Sequence, residues 1–313
     1  LCDGTDVYIG GVMEHIEMAG IHSGDSACVI PPYSLSEGIV NTLQDIASKL
    51  ALRLGVKGLL NIQFAIKDQV VYVIEANPRA SRTVPFVSKA TGVPLAKAAA
   101  RIMAGEKLAR LGLPAHKTNP DYYCVKEAVM PWGRFPGARV ILGPEMKSTG
   151  EVMGIAPTVP AAYAKTQFAI DYAMPEGGLA FVSVNDGDKR AIVSLIRDVE
   201  RMGFGIVATQ GTAKVLRASG IDCLEVSKIH EADAADGEGE RPSALDLIRD
   251  GKISLIINTP FGTATRSDGY EIRSAAVRHG ICHTTTLAGA QAMIAGMEAA
   301  RQGTVGVIAL QDL

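Results

Sequence analysis

The chain has 313 residues, 47% of them hydrophobic and 20% charged, which suits a soluble globular protein of about two domains with a sizeable core. Its formal net charge is −2, with Lys and Arg scattered, so no strong field favours nucleic acid or an anionic membrane. No apolar run is long enough to span a bilayer, and the five widely spaced cysteines (Cys2, Cys28, Cys124, Cys223, Cys282) make neither a disulfide framework nor a zinc site; they read as small buried hydrophobes in a reducing cytosol.

The sequence opens at Leu1, without Met or a signal-like start, in what reads as a strand region, and is expected to be a fragment of a longer chain. Apolar spacing at Leu35, Ile39, Leu43, Ile46, Leu50 and Leu54 predicts a helix over 34–54, capped by Ser34 or Ser36 and stopped at Gly55. Two β-rich runs, 59–66 and 70–76, joined through Lys67, Asp68 and Gln69, predict a hairpin. A second helix, 94–104, stops at Gly105. Residues 111–121, with two prolines and a glycine, read as a surface loop, 122–130 as a strand, and the Gly- and Pro-rich 131–154 as irregular.

The pattern changes at 171–178, which divides the chain into 1–172 and 173–313. Strands at 179–184, 205–208, 223–226, 253–258, 281–284 and 305–310 then alternate with helices at 189–202, 212–219, 244–249, 270–279 and 288–301. An acidic stretch, 231–240, interrupts them and is expected to be mobile. Such alternation predicts an α/β fold with a doubly wound parallel sheet.

The hairpin carries the sharpest chemistry. Asn61 and Gln63 lie two apart on one strand, Glu75 and Asn77 two apart on the next, so each pair shares a face. Any register that opposes odd positions gathers all four oxygen-bearing side chains on one face, where a hard cation such as Mg²⁺ would satisfy them. Spacing alone serves a solvent-facing polar surface equally well. Arg79 and Arg82 follow at once; guanidiniums beside a metal site suit a transferring phosphoryl group, while by themselves two arginines after a strand read as surface residues. Upstream, Gly20, Ile21, His22 and Ser23 open a small glycine-punctuated loop, either a plain turn or a backbone contact for a nucleotide. The histidines of this region have no metal-ligand spacing.

Three runs, EHIEMAGIHSGDSAC, LLNIQFAIKDQVVYVIEANPRASRTVPFVSKATGVPLAKAAARIMAG and LGPEMKSTGEVMG, together resemble the large chain of carbamoyl-phosphate synthase, with a match running nearly from Leu1 to the end. Other ATP-grasp proteins such as biotin carboxylase share the Glu-x-Asn strand ending but not RTVPFVSKATGVPLA. The resemblance implies the later part of the second ATP-grasp half, an incomplete α+β domain over 1–172. A methylglyoxal-synthase-like regulatory domain follows over 173–313. It assigns Mg²⁺ or Mn²⁺ to Gln63, Glu75 and Asn77, and ATP to Gly20, Ile21, His22 and Ser23 with Gln63 and Glu75 nearby. Carbamate and the moving phosphoryl group fall to Arg79 and Arg82. The implied reaction is phosphorylation of carbamate to carbamoyl phosphate in the cytoplasm, feeding pyrimidine and arginine synthesis. A glutaminase small chain is the implied partner, and a homo-oligomer of that heterodimer is compatible with it. The family's upstream lysines and glycine-rich lid are expected to precede Leu1, so the isolated chain is expected to be inactive. The alternative is a regulatory nucleotide-binding module without turnover.

In the second domain Thr209 and Thr212 flank Gly211 where a strand turns into a helix, a ready phosphate site. Lys189, Lys228, Asn258 and Thr259 lie at strand C-terminal edges or a helix start, where ligands collect in such sheets. Taken singly, each serves as well as a capping or surface residue. Together they resemble the family's site for the phosphate of UMP or IMP, although Gln210 and Pro260 stand where some members have His and Thr. The resemblance further assigns ornithine to Glu17, Asp25, Glu127 and Thr285, across the two domains.

Overall fold

The structure, a computed structural model, describes residues 1–114, 122–135, 140, 142–170, 174–227, 242–259, 265–303, 305–307 and 309. Lys228, Pro260 and the acidic stretch 231–240 lie outside the described residues. The chain divides into two compact units: Leu1–His15, Ser26–Lys126 and Ile155–Val159 form the first, and Ile16–Asp25, Glu127–Gly154 and Pro160–Leu313 the second.

In chain order the first unit holds β1 (Cys2–Asp3), β2 (Glu14–His15), β3 (Cys28–Ile30), α1 (Glu37–Arg53), β4 (Lys57–Gly58), β5 (Asn61–Lys67), β6 (Val70–Asn77), α2 (Val84–Thr91) and α3 (Leu95–Met103), then β7 (Tyr123–Val129), which runs on into the second unit. The helix α1 forms where the apolar period places it. Ser36 is its N-cap, with Oγ accepting from Ile39 N at 3.4 Å, and Gly55 follows at φ 61°. Ala51 of α1 packs on Cys2 and Val56, with Val7 and Leu60 against them. Asp3 fastens the start of the chain: its carboxylate accepts backbone N–H groups of Thr5, Asp6 and Leu108 at 2.8–3.0 Å. Those bonds, Asp6 and Leu108 foremost, hold the carboxyl well below its usual range.

The second unit contains β8 (Gly150–Ala156) up to Gly154, α4 (Val159–Ala169) from Pro160 on, β9 (Gly178–Val184), α5 (Ile192–Arg201), β10 (Phe204–Thr209), α6 (Gln210–Ala218), β11 (Leu224–Val226), α7 (Ala244–Arg249), β12 (Ile253–Thr259), α8 (Thr265–Arg278), β13 (Cys282–Thr284) and α9 (Leu287–Arg301). Strands β9 to β13 form a parallel five-stranded sheet in the order β11-β10-β9-β12-β13. The order reverses at β9, which pairs with both β10 and β12, so the doubly wound expectation is met. Phe181, Val207 and Ile256 pack with Leu247 and Ile248 of α7 and Ile272 and Ala276 of α8. Ala180 and Val182, on the opposite face, are equally buried, as a sheet covered on both sides requires. Gly154 lets β8 approach α4: a Cβ there would lie 2.1 Å from the carbonyl oxygen of Ala162.

Some expectations fail. Residues 131–154 are not wholly irregular, because β8 begins at Gly150. Helices α2 and α4 were not expected. Of the strand expected at 305–310, the described residues 305–307 and 309 join no ladder. All five cysteines are buried and free of disulfides, and burial pushes the thiols of Cys124 and Cys282 up to about 12, which keeps them inert.

The pairing of β3 with β2 and β7 sets His15 beside Cys28 and Cys28 beside Lys126. Burial, aided by the positive charge of Lys126, lowers His15 from 6.5 to about 4. The unfolded chain therefore takes up this proton near its ordinary pKa, and the folded chain only near the lower value. Stability contributed by neutral His15 is present above the unfolded pKa and is lost as pH falls through that window, by up to about 1.4 kcal/mol per pH unit. Denaturant unfolding across the window is expected to show a shallower slope for His15→Gln than for the wild type. An identical slope in the variant would refute it.

Candidate functional site

In the first unit β5 and β6 form a two-stranded antiparallel ribbon with Asn61 opposite Asn77 and Gln63 opposite Glu75. The pairing is odd on odd, so the four polar side chains share a face. A two-residue turn closes the ribbon, with Asp68 and Gln69 both at positive φ (51° and 63°), the twist that a tight hairpin needs. The register shifts between Gln63 and Phe64, a bulge directly beside the quartet. Glu75 is exposed and the other three are half-buried. Asn77 Nδ2 donates to Glu75 Oε1 at 2.9 Å. Gln63, Glu75 and Asn77 offer one carboxylate and two amide groups on one face, a hard-oxygen donor set of the kind that Mg²⁺ or Mn²⁺ takes. No cluster of three His, Cys, Asp or Glu suited to a metal occurs among the described residues, so a cation here depends on the amides. Arg79 is exposed, with Nη1 donating to Ala80 O at 3.1 Å, and Arg82 is half-buried just before α2.

Gly20, Ile21, His22 and Ser23 belong to the second unit, whereas Gln63 and Glu75 belong to the first. Their loop is tied down locally. His22 N donates to Gly143 O at 2.8 Å, and its Nδ1 accepts from Gly24 N at 3.0 Å. Asp25, 2% exposed, is the clamp: Oδ1 accepts from Lys147 N and Ser148 N at 3.1 and 2.9 Å. Ser148 Oγ donates to Gly24 O at 3.0 Å.

Also in the second unit is a cavity of about 190 Å³ whose lining includes Glu17, Asp25, Glu127 and Thr285. The structure thus gathers four residues spread over most of the sequence, and it gathers them within one compact unit. Asp25 is occupied by backbone amides, while Glu127 Oε2 accepts from Gln167 Nε2 at 3.2 Å. Trp132, Val140, Leu142 and Tyr163 supply apolar wall. His283 also lines it; burial holds its imidazole below the ordinary value, and the charge of Arg273 adds to that. A pocket with carboxylates, a neutral imidazole and apolar walls suits a small cation with an aliphatic stem. Sequence reasoning missed Gln167, Trp132 and His283, because no motif links α4, a 3₁₀ turn (Trp132–Arg134) and β13.

Of the residues expected to hold a nucleotide phosphate, Thr209, Asn258 and Thr259 lie at the C-terminal rim of the parallel sheet. Asn258 pairs in register with Ser183 and Thr259 with Val184, and Thr209 Oγ1 donates to Ser183 Oγ at 3.2 Å. Thr209, Ser183 and Asn258 therefore form a row across β10, β9 and β12, at the reversal of strand order. Thr259 Oγ1 accepts from Asn185 N at 3.3 Å and Thr212 Oγ1 from Val184 N at 3.3 Å. Thr209 is the N-cap of α6 but makes no side-chain cap bond, so the first-turn amides keep their donors. Lys189 Nζ, 2.6 Å from Asp186, reaches the same helix start, where a Cβ on Gly211 would come within 2.8 Å of it. Ser183 and Asn185 were missed, although the Asn-Asp-Gly turn after the strand marked the place.

The profile described as "Carbamoyl-phosphate synthase L chain, ATP binding domain" matches residues 3–111, and that described as "MGS-like domain" matches residues 191–285. An ATP-binding-domain segment followed by an MGS-like domain is the class these define. Over the whole chain, identity is 50% to the carbamoyl phosphate synthase large chain of Methanothermobacter thermautotrophicus, covering 29% of that protein. It is 51% to that of Mycobacterium sp. strain JLS, covering 29%, and 48% to that of Pasteurella multocida, covering 28%. The chain belongs to the carbamoyl phosphate synthase large-chain family, and it spans less than a third of the length of these relatives. Among solved structures, a biotin carboxylase domain of a single-chain bacterial carboxylase aligns at TM-score 0.42 and 21% identity, over 52% of this chain and 44% of that one, a distance at which the likeness decides nothing.

Thr212 is 1% exposed and is the acceptor for a strand-end amide. Thr212→Val is expected to leave the Val184 N–H unpaired and to cost about 1–3 kcal/mol in denaturant unfolding, whereas Thr212→Ser should stay close to wild type. Equal stability of the Val variant would show that water takes the hydroxyl's place.

Proposed function

We propose that this chain is part of the half of a carbamoyl-phosphate synthase that phosphorylates carbamate, joined to its regulatory domain. The observation that carries the reading is the hairpin register: it opposes Gln63 to Glu75 and sets Asn77 beside them, with two arginines following. Gln63, Glu75 and Asn77 would hold Mg²⁺ or Mn²⁺, which when bound neutralises charge on the phosphates of ATP. Arg79 and Arg82 hold carbamate and the transferring group by charge-assisted hydrogen bonds, and Gly20, Ile21, His22 and Ser23 contact the nucleotide. A carbamate oxygen attacks the γ-phosphorus, the bond to the β-phosphate oxygen breaks, and carbamoyl phosphate and ADP leave. Positioning supplies most of the catalysis. Ammonia would come from a glutaminase small chain, in the cytoplasm, and the product would feed pyrimidine and arginine synthesis. Among the described residues no helix is long and apolar enough to cross a membrane.

The strand-end row is the proposed site for a nucleoside monophosphate such as UMP or IMP, with Lys189, Thr209, Thr212, Asn258 and Thr259 from the described residues and Lys228 beyond them. The cavity is the proposed site for ornithine, through Glu17, Glu127 and Thr285, with Asp25 bracing its wall. One observation favours a second reading, a regulatory module without turnover in this chain alone: Glu75 is exposed on an open ribbon, whereas phosphoryl transfer needs water excluded.

In a full-length large chain bearing this segment, Glu75→Gln removes the one ionised ligand of the set. ATP synthesis from carbamoyl phosphate and ADP is expected to vanish while bicarbonate-dependent ATP hydrolysis persists; near-normal ATP synthesis would remove the metal assignment. For the cavity, Trp132 is the single tryptophan of the chain and lines the wall. Titrating ornithine should therefore change the intrinsic fluorescence, and Glu127→Gln should weaken the apparent affinity roughly tenfold. A flat titration of the wild type would leave the cavity without this ligand.

A further inference from the structure

Helix α8 carries one side chain that neither the core nor the proposed regulatory site uses. Arg273 is 1% exposed, and a guanidinium is seldom buried without partners for its donors. Nε donates to Val140 O at 2.9 Å and Nη1 to Asn258 Oδ1 at 3.2 Å. Nη2 is buried with no partner among the described residues. The chain makes room for this arrangement: a Cβ on Gly269 would stand 2.5 Å from Nη1 and 3.1 Å from Asn258 Oδ1.

Position explains the orphan. Asn258 is the last member of the Thr209–Ser183–Asn258 row, so the guanidinium continues that row from α8. With Oδ1 taken by Arg273, Asn258 has its amide nitrogen to offer, which is a donor. Across the row, α6 begins with first-turn amides that no side chain caps, and the Lys189 ammonium lies against them. The leftover groups of Asn258, Arg273 and the start of α6 are donors, the Lys189 ammonium beside them is a cation paired to the exposed Asp186, and a bound anion supplies acceptors for them. A structural brace between Val140 and Asn258 would need only two of the guanidinium nitrogens, and an uncharged side chain could make it without desolvating a cation.

We propose that Arg273 is an anion ligand of the strand-end site, its Nη2 donating to a phosphoryl oxygen of the bound nucleoside monophosphate. The proposal rests on the nucleotide reading given above and adds to it a cation from the face of the sheet covered by α8. A phosphate ester and free phosphate share this chemistry, and both serve as probes.

The test is calorimetric titration of the whole 313-residue chain, wild type and Arg273→Gln, with UMP, IMP and inorganic phosphate, folding being checked by circular dichroism. The wild type is expected to bind UMP or IMP, and inorganic phosphate more weakly. Arg273→Gln, folded, should bind both kinds of probe at least roughly tenfold more weakly, the loss of a charge-assisted bond. Unchanged affinity in a folded variant overturns the role of Arg273 and leaves the site standing, and so does weakening toward the nucleotide alone. A wild type that binds none of the probes overturns the site and the proposal together. Should Arg273→Gln not fold, a crystal structure of the wild-type chain with UMP decides: a guanidinium nitrogen within hydrogen-bonding distance of a phosphoryl oxygen supports the assignment, and a phosphate held without it overturns it.

Discussion

The hydrogen-bond register of β9 is the constraint on which the second unit depends. Because β9 pairs in parallel with β10 on one side and β12 on the other, three strands end level at one rim. A parallel sheet leaves its last carbonyls at that rim, and here the order of strands reverses across β9, the position at which such sheets bind ligands. The polar ends of three apolar strands thereby meet: Thr209, Ser183 and Asn258 on one face, and Thr259 on the other, bonded to Asn185 just after β9. Deeper along the same strands the side chains are hydrocarbon apart from Ser254 near the start of β12, with Phe181, Val207 and Ile256 at 1% exposure or less. Stability and site therefore come from the same strands, divided by position along them.

The first unit solves a different problem with a shorter device. A two-stranded ribbon has little core of its own, and Tyr72, Val73 and Ile74 are indeed exposed. Its geometry is fixed instead by the turn. Two consecutive residues at positive φ set the twist, the Lys67–Val70 pair closes the loop, and the bulge at Gln63 offsets the side chains beyond it. Upstream of the bulge Gln63 and Glu75 keep the parity that places them together. A slip of one residue would move Glu75 to the opposite face from Gln63.

Charge is placed sparingly and used locally. Asp3, at the end of β1, and Asp25, in a loop, are both spent on backbone amides, one fastening Leu108 and the other Lys147 and Ser148. Lys126 and Arg273 are the reverse, cations buried almost completely in a strand and a helix. Their fields are felt by histidines on neighbouring elements: Lys126 by His15 and Arg273 by His283, each imidazole being held neutral mainly by its own burial. The cavity thus keeps its carboxylates without a competing imidazolium.

The sequence by itself determined the local order. The apolar period over Leu35 to Leu54 is enough for α1, the alternation of strand and helix after Gly178 is enough for a doubly wound sheet, and the two-residue spacing of Asn61, Gln63, Glu75 and Asn77 is enough for a shared face once the hairpin closes. It was silent where the period carries no signal. Helix α4 is buried nearly all round, at Ala161, Ala162, Tyr163, Ala164, Thr166 and Gln167, so no polar face marks its turns. Helix α2 has eight residues and begins with a proline in its first turn, and β8 follows a run of glycines and prolines. Only the tertiary structure decided which distant residues meet. It drew Glu17, Glu127 and Thr285 to one cavity, took Asp25 as a clamp, and put Arg273 inside the protein, where its sequence neighbours Glu271 and Arg278 suggest an ordinary charged helix surface. Burial and partnership are set by packing between elements far apart in the chain, and local spacing carries no record of that distance.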